Sequence, residues 1–376
     1  MKKTVSLLMA VLLLFVLLAG CAGGGERTLV VANWKGYGSD SEYAVEQFEK
    51  ANNCKVVHQY YDSLEQMLTM IRQGGNGKID VVLSNMAYTD TAKKEGLISA
   101  IDTSKLENYA SLQESLKEVE DVVDEEGKVY GVPWMWGTTA LGYNKEAVGK
   151  EIDSWSALWD EANQGKVTMF DDHITAVLVA AMYIGEEDPY NADLSKIEEA
   201  LMALKKNCKL YWTSYDSFAK PYSAGEITMG PLWSGAATQL NATGVDVEYV
   251  YPKEGVVAWT DYWCMVEGTK NEDLAMKWID WMSSEDFQKE YSSDLEGQPP
   301  VPANVKVQET LSDDVRKALY IDGDMPEKLY FQKAIPEETN QAWLDLWNKG
   351  SNKIFSLLYR SSTVNRNVIK VHHISQ

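Results

Sequence analysis

The chain has 376 residues, of which 56 are acidic and 35 basic, and its formal net charge at pH 7 is −21. This charge argues against nucleic acid or anionic lipid as a partner, since both are negatively charged themselves. It is compatible with a cationic ligand, although an acidic surface also keeps a protein soluble. Thirteen Trp and twenty Tyr are many for this length, and such an excess suits a ligand cleft with aromatic walls.

Residues 1–20 predict an export signal rather than a part of the fold. A basic start at Lys2 and Lys3 precedes an apolar run, residues 7–18, that is short for a membrane span. The small residues Ala19 and Gly20 then precede Cys21, which resembles a bacterial lipoprotein signal cleaved before a lipid-bearing cysteine. We therefore expect a lipid anchor at Cys21 and a tether over residues 21–27. The alternative is an ordinary signal peptide with an incidental cysteine.

The remaining cysteines and the histidines do not indicate a metal site. Cys54, Cys208 and Cys264 lack metal-like spacing, so at most one disulfide or three free thiols are expected. His58 and His173 stand alone in the sequence. We expect no metal and no cofactor.

The first part of the folded chain predicts a parallel sheet. Strand-like runs at 28–32, 54–60 and 78–83 alternate with helical patterns, the first of which begins at a capping box of Ser39 and Glu42. A βαβαβ order predicts parallel strands with helices on the sheet faces. Ligands of such sheets bind outside the carboxyl ends of the strands, where Trp34, Tyr37 and Asn85 fall.

The middle of the chain predicts a second lobe, because about 350 mature residues exceed one comfortable core. Strands are predicted at 130–144, 166–170 and 226–233, and helices at 155–162, 175–184 and 195–207. Asp171 and Asp172 precede the second of these helices. They could cap it, because the positive end of a helix dipole favours acids.

The most informative stretch is residues 259–263, in which Asp261 stands between the large aromatic residues Trp259 and Trp263. Indole faces attract an organic cation and the carboxylate neutralises it. The alternative is a buried strand whose Asp caps a neighbouring backbone group. Beyond it, one apolar helix face includes Leu274 and Trp278, Ser283 caps the next helix, and a last helix spans residues 336–348. No convincing pattern follows residue 353.

Several stretches, in this order, resemble the periplasmic polyamine-binding proteins of ABC importers over residues 28–350. They are Ala32-Asn33-Trp34-x-x-Tyr37, Asp80-Val81-Val82, Lys94-Glu95-Gly96-Leu97-Ile98, Val132-Pro133-x-x-Trp136-Gly137-Thr138, Asp171-Asp172, Trp233-x-Gly235, Trp259-x-Asp261 and Phe331-Gln332. The resemblance implies an α/β, two-lobed type II periplasmic binding protein, with a ligand cleft between lobes joined by two hinge crossings. It places lobe 1 at 28–134 and 259–305, lobe 2 at 135–258, C-terminal helices packing mainly on lobe 2 at 306–352, and a tail of unassigned role at 353–376.

The resemblance also implies which residues contact the ligand. The family's aromatic walls, amine-binding acids and polar contacts match Trp34, Tyr37, Asn85, Tyr88, Asp172, Trp233, Trp259, Asp261 and Gln332. Two family positions differ, since Thr175 stands where a spermidine binder has a second acid and Gln298 stands where the family has a tyrosine. Lys35 adds a cation nearby. These departures favour a diamine such as putrescine, or a related cation, over spermidine.

We therefore predict a monomeric substrate-binding lipoprotein outside the cytoplasm that delivers a polyamine to the permease subunits of an ABC importer. A second hypothesis is the same fold and transport role with another small solute, such as another organic cation, an amino acid derivative, a sugar or a metal chelate. A third is a secreted hydrolase. The sequence contains no Gly-x-Ser-x-Gly motif, which argues against a serine hydrolase. A glycosidase with a catalytic pair of carboxylates stays an open alternative.

Overall fold

The computed structural model of the chain describes residues 26–321 and 328–351. The predicted signal peptide, Cys21 and the tail at 353–376 lie outside these ranges. No helix within them is both long and apolar enough to cross a membrane.

A sheet of twelve strands organises the described part of the chain. In chain order the strands are β1 Arg27–Asn33, β2 Cys54–Tyr60, β3 Val81–Asn85, β4 Ile98–Ser99, β5 Val132–Tyr143, β6 Val167–Phe170, β7 Cys208–Trp212, β8 Met229–Trp233, β9 Glu248–Val250, β10 Val256–Val266, β11 Val301–Pro302 and β12 Leu329–Phe331. Eight of them form the continuous order β2-β1-β3-β10-β5-β8-β6-β7, and the short strands β4, β9, β11 and β12 pair beside β10 or β5.

Helices lie between these strands and after them. The α-helices are α1 Glu42–Asn52, α2 Leu64–Lys78, α3 Met86–Lys94, α4 Glu114–Lys117, α5 Lys145–Val148, α6 His173–Ile184, α7 Leu194–Asn207, α8 Tyr215–Ser223, α9 Ser234–Ala242, α10 Glu272–Met282, α11 Glu285–Ser293, α12 Val305–Thr310, α13 Asp313–Ala318 and α14 Glu337–Ser351. Short 3₁₀ turns occur at Thr103–Lys105, Tyr109–Ser111, Trp155–Leu158, Glu161–Asn163, Pro189–Asn191 and Leu295–Gly297.

The parallel start of the sheet is confirmed. Strand β1 is parallel to both β2 and β3, and its inner residues Leu29, Val31 and Ala32 are fully buried. Parallel strands connected by α1 and α2 must have both faces covered, which explains why their sequences are almost continuously apolar. The carboxyl ends of β1 and β3 therefore lie at the same edge of the sheet.

The two longest strands join the halves of the sheet. β10 is antiparallel to β3 over Asp261–Met265 and to β5 over Val257–Trp263. β5 continues past this region and pairs through Thr139–Tyr143 with β8, whose neighbour β6 is parallel to β7. The boundaries at which the hinge crossings are expected, 134/135 and 258/259, lie within β5 and β10, and the crossings stay a prediction. The exact lobe boundaries stay a prediction.

Two predicted helix caps are wrong. Ser41, not Ser39, caps α1, because its hydroxyl accepts from the Ala44 amide at 3.2 Å. Ser39 instead accepts from the side chain of Asn33 and contacts His58. In the same way Ser284, not Ser283, caps α11. A sequence with several serines near a helix start allows several caps, and the tertiary contacts of each serine decide among them.

Some predicted element lengths also differ. The helix that begins at Leu64 continues to Lys78, so β3 begins at Val81 instead of Lys78. Two caps close together, from Ser154 and Asp160, divide the helix predicted at 155–162 into two 3₁₀ turns. All three described cysteines are free.

Candidate ligand-binding site

Asp261 is held at the centre of the sheet by two neutral donors. The register of β10 places it beside Asn85 on β3 and Met135 on β5. Its Oδ2 accepts from the Tyr37 hydroxyl at 2.9 Å, and its Oδ1 accepts from Nδ2 of Asn85 at 3.1 Å. The structure thus brings three of the sequence-predicted site residues into one hydrogen-bonded group.

The carboxyl group of Asp261 is buried without a positive partner among the described residues. Asp261 is 4% exposed, and burial raises its pKa to about 7 although the bonds from Tyr37 and Asn85 oppose the rise. No lysine, arginine or histidine within the described ranges forms an ion pair with it. Ionising a buried carboxyl is costly without a positive partner. An ammonium group from a ligand would provide that partner.

The local sequence explains why Asn85 holds its position. Asn85 ends β3 and caps α3, so its Oδ1 accepts from the Ala87 amide at 3.1 Å while its Nδ2 donates to Asp261. Both ends of the amide are used, which fixes its orientation. Tyr37 is fixed by packing, because its ring lies edge-on against Trp134 at 5.0 Å and against Trp34 at 5.9 Å.

Trp259, which the sequence predicts as an aromatic wall of the site, lies near Asp261 on β10. The two residues are two positions apart on β10, so their side chains lie on the same face of the strand. Gly137 on β5 is opposite Trp259, and a Cβ atom there would lie 2.6 Å from Cζ2 of the indole and 2.8 Å from the Ser234 hydroxyl. The missing side chain therefore makes room for the indole. Trp259 is 8% exposed, and its N–H has no partner among the described residues.

Trp233 lies on the other half of the sheet, and Gln298 lies in the loop between the 3₁₀ turn Leu295–Gly297 and β11. Trp233 ends β8 just before α9, is partly buried, and packs against Trp212 at 4.7 Å and Phe170 at 5.0 Å. Gln298 has a left-handed backbone, with φ of 57°, and its carbonyl oxygen would lie 2.6 Å from a Cβ atom at Gly235. Gly235 therefore allows the loop that carries Gln298 to approach the start of α9.

Asp172 does cap a helix, as one of the sequence interpretations held. Its Oδ1 accepts from the Thr175 amide at 2.7 Å at the start of α6. The Thr175 hydroxyl accepts from the side-chain Nε2 of Gln332 at 3.1 Å. The backbone N–H of Gln332 donates to the carbonyl of Ala258. The first turn of α6 is thereby connected to β10 next to Trp259. Burial raises the pKa of Asp172 as well.

The sequence interpretation gave no role to Glu65. This exposed acid in the first turn of α2 accepts a hydrogen bond from the hydroxyl of the buried Tyr88 at 2.5 Å. An acid in a first helical turn is common for dipole reasons alone, so the sequence carried no signal for a second role. Lys35, the departure noted above, is exposed.

The described residues do not offer a metal site. Nowhere in ranges 26–321 and 328–351 do three His, Cys, Asp or Glu side chains come together in a way that could hold a metal ion. Asp171, the neighbour of Asp172, accepts from Nε1 of Trp347 at 2.8 Å and so holds α14 in place.

Comparison with known proteins decides the family. Residues 43–319 match the family described as bacterial extracellular solute-binding protein. The chain belongs to this family. Its members are solute-binding proteins of transport systems rather than enzymes, so the secreted hydrolase is no longer a competing hypothesis. The ligand contacts of the individual residues stay predictions.

Two relatives of this chain are named for polyamines. This chain is 31% identical over 342 residues to the spermidine/putrescine-binding periplasmic protein of Salmonella typhimurium, and the match covers 89% of this chain and 95% of that one. It is 30% identical over 331 residues to the protein of the same name from Escherichia coli K12, covering 86% and 92%.

A solved structure confirms the predicted fold class. The substrate-binding protein PotD of a spermidine/putrescine ABC transporter from Streptococcus pneumoniae, in complex with calcium and HEPES, superposes with a TM-score of 0.73. The two chains are 22% identical, and the match covers 86% of this chain and 98% of that one. The chain therefore has the two-lobed α/β fold of type II periplasmic binding proteins.

Proposed function

We propose that this protein is the substrate-binding component of an ABC importer and captures a polyamine, putrescine or spermidine, for delivery to the membrane permease. One observation carries the proposal. The buried carboxyl of Asp261 is surrounded by neutral donors and aromatic rings and has no internal cation among the described residues. A ligand ammonium would complete this arrangement.

The binding free energies expected from contacts with aromatic rings and acids favour an organic cation. A desolvated cation over an indole gains about 2 kcal/mol, and each buried methylene adds about 0.8 kcal/mol. Trp259 and Trp233 supply aromatic surface for these contacts. Asp261 and Asp172 supply negative charge at two places, which suits a molecule with two amines. The names of the relatives support the same class of ligand.

The neutral residues of the site favour a diamine. Thr175 and Gln332 bond to each other, so this part of the site offers a hydroxyl and an amide where the family pattern has a second acid. Putrescine, with two amines, requires fewer acids than spermidine, with three. We place lobe 1 at 28–134 and 259–305 and lobe 2 at 135–258. A ligand that touches both lobes would shift the population toward the closed state.

A thermal-shift panel tests the ligand class. The purified protein is heated with putrescine, cadaverine, spermidine, choline, an amino acid set and neutral sugars, all at equal concentration. We expect putrescine to raise the melting temperature most and the sugars to leave it unchanged, because a ligand stabilises only the state that binds it. A shift with a sugar or an amino acid, and none with any amine, would favour the second hypothesis.

We further propose that the protein is a monomer held at the outer face of the cytoplasmic membrane by lipid on Cys21. The basic start, the apolar run and the small residues before Cys21 support the anchor. Replacing Cys21 with Ser should move most of the exported protein from the membrane fraction to the soluble fraction, without changing putrescine binding. Immunoblots of the two fractions measure this. An unchanged membrane fraction would contradict the anchor.

A further inference from the structure

We propose that Glu65 is a ligand-binding residue and that its carboxylate, together with Asp172, contacts the far ammonium of the bound diamine. Glu65 would then supply the acid that Thr175 does not. This inference rests on the proposed function, since it names the residues that bind the second amine of the ligand in the same site.

The first observation is the contact that holds Glu65. Its Oε1 accepts from the Tyr88 hydroxyl at 2.5 Å. Tyr88 is 8% exposed, so its position is fixed by packing, whereas Glu65 is exposed. A free glutamate on a helix surface would sample many rotamers, and this bond restricts it to the space beside Tyr88. The bond occupies one acceptor position, and a carboxylate has about four.

The second observation is the position of Asp172. Tyr88 and Glu65 come from helices that flank β3, whereas Asp172 follows β6 in the other half of the sheet. Burial raises the pKa of the Tyr88 phenol well above its usual range, and both Glu65 and Asp172 add to the rise. The pKa of Asp172 is likewise raised by burial and, to a smaller extent, by Glu65. Two acids from opposite halves of the sheet thus raise the pKa of the same phenol.

The third observation is that neither acid is neutralised. Within the described residues neither Glu65 nor Asp172 forms an ion pair, whereas the acids Glu49 and Glu95 pair with Lys55 and Arg72. Like charges that approach across a cleft oppose its closure. A ligand cation between them would reverse this effect, which couples amine binding to closure.

The spacing fits a ligand with two amines. Asn85, which contacts Asp261, caps α3, and Tyr88 lies three residues further along the same helix. One turn of helix advances about 5 Å. The group around Asp261 and the group around Glu65 are therefore connected by a rigid helical turn, and a short diamine can reach both.

The test compares Glu65→Gln with two matched variants. Gln keeps the length of the side chain and its oxygen still accepts from Tyr88, so only the charge is lost. We expect putrescine affinity, measured by calorimetry, to fall about tenfold. The affinity of n-butylamine, which has the same carbon chain and a single amine, should stay unchanged in competition experiments. Asp62→Asn, which removes an exposed charge three residues earlier, should bind putrescine like the unmodified protein.

The Tyr88→Phe variant separates the effect of the Glu65 charge from the effect of the hydrogen bond that positions Glu65. It removes the hydrogen bond that restricts Glu65 but leaves its charge, so we expect a putrescine affinity between those of the unmodified protein and Glu65→Gln. Putrescine binding by Glu65→Gln equal to that of the unmodified protein would overturn the inference, and so would an equal loss of n-butylamine affinity in Glu65→Gln. If the unmodified protein bound no amine at all, the proposed function itself would fail, which is a different result. Melting temperatures of the free variants verify that each one folds.

Discussion

Replacing Asp261 with Asn should abolish the binding of putrescine while the free protein stays folded. Asp261 is the buried acid that accepts from Tyr37 and Asn85, and we expect it to hold an amine of the ligand. Removing one member of a buried ion pair costs about 3–5 kcal/mol, because the other charge is left without a partner. The dissociation constant should therefore rise by a factor of at least roughly one hundred.

The free protein should tolerate this change because Asn fits the same hydrogen bonds. Its Oδ1 can accept from Asn85, and its Nδ2 can donate to the Tyr37 hydroxyl, which both donates and accepts. Calorimetric titration measures the loss of binding, and thermal unfolding at pH 6 measures the stability. Asp314→Asn, at an exposed position in α13, is the control. Normal putrescine binding by the Asp261 variant would show that the site is assigned to the wrong residue.

The affinity for putrescine should rise steeply with pH up to about 7 and then level off. Burial raises the pKa of Asp261 to about 7, so at pH 5 only about one molecule in a hundred has the ionised form that an ammonium requires. Amines of this kind stay protonated over the same range. We therefore expect binding about a hundredfold weaker at pH 5 than at pH 8. Asp172, whose pKa burial also raises, acts in the same direction.

The raised pKa of Asp261 also determines how the stability of the free protein depends on pH. An unfolded Asp loses its proton near pH 4, whereas the folded Asp261 keeps it until about pH 7. The stability that this proton provides is fully present below pH 4 and is lost as the pH rises through 7. Titrations in buffers of different ionisation heat should detect a proton released on binding at pH 6. An affinity that does not change between pH 5 and 8 would contradict the account.

Much of the fold follows from local patterns. The apolar strands and capped helices of residues 27–85 predict a parallel sheet, because burial on both faces leaves a continuous apolar sequence. The acid between aromatic residues at 259–263 indicates a site because both residue types favour cations. Asp172 before an apolar helix indicates its cap in the same local way.

Other features depend on contacts between distant parts of the chain. The pairing of Asn85 with Asp261 joins residues 176 positions apart, and only the register of β10 on β3 brings them together. The need for glycine at position 137 arises from the indole of Trp259 on the neighbouring strand. Glu65 resembles an ordinary acid in a first helical turn until Tyr88 is placed beside it. Sequence periodicity describes one element at a time and carries no information about such pairs.

Calorimetric titration of the purified protein with putrescine at pH 8 tests the central claim most directly. The account predicts one ligand per chain, a dissociation constant of about micromolar order, and weaker binding as salt is added, because the contacts are charged. Absence of binding by putrescine, and also by spermidine under the same conditions, would contradict it. Asp261 and Asp172 would then hold the fold together without recognising an amine.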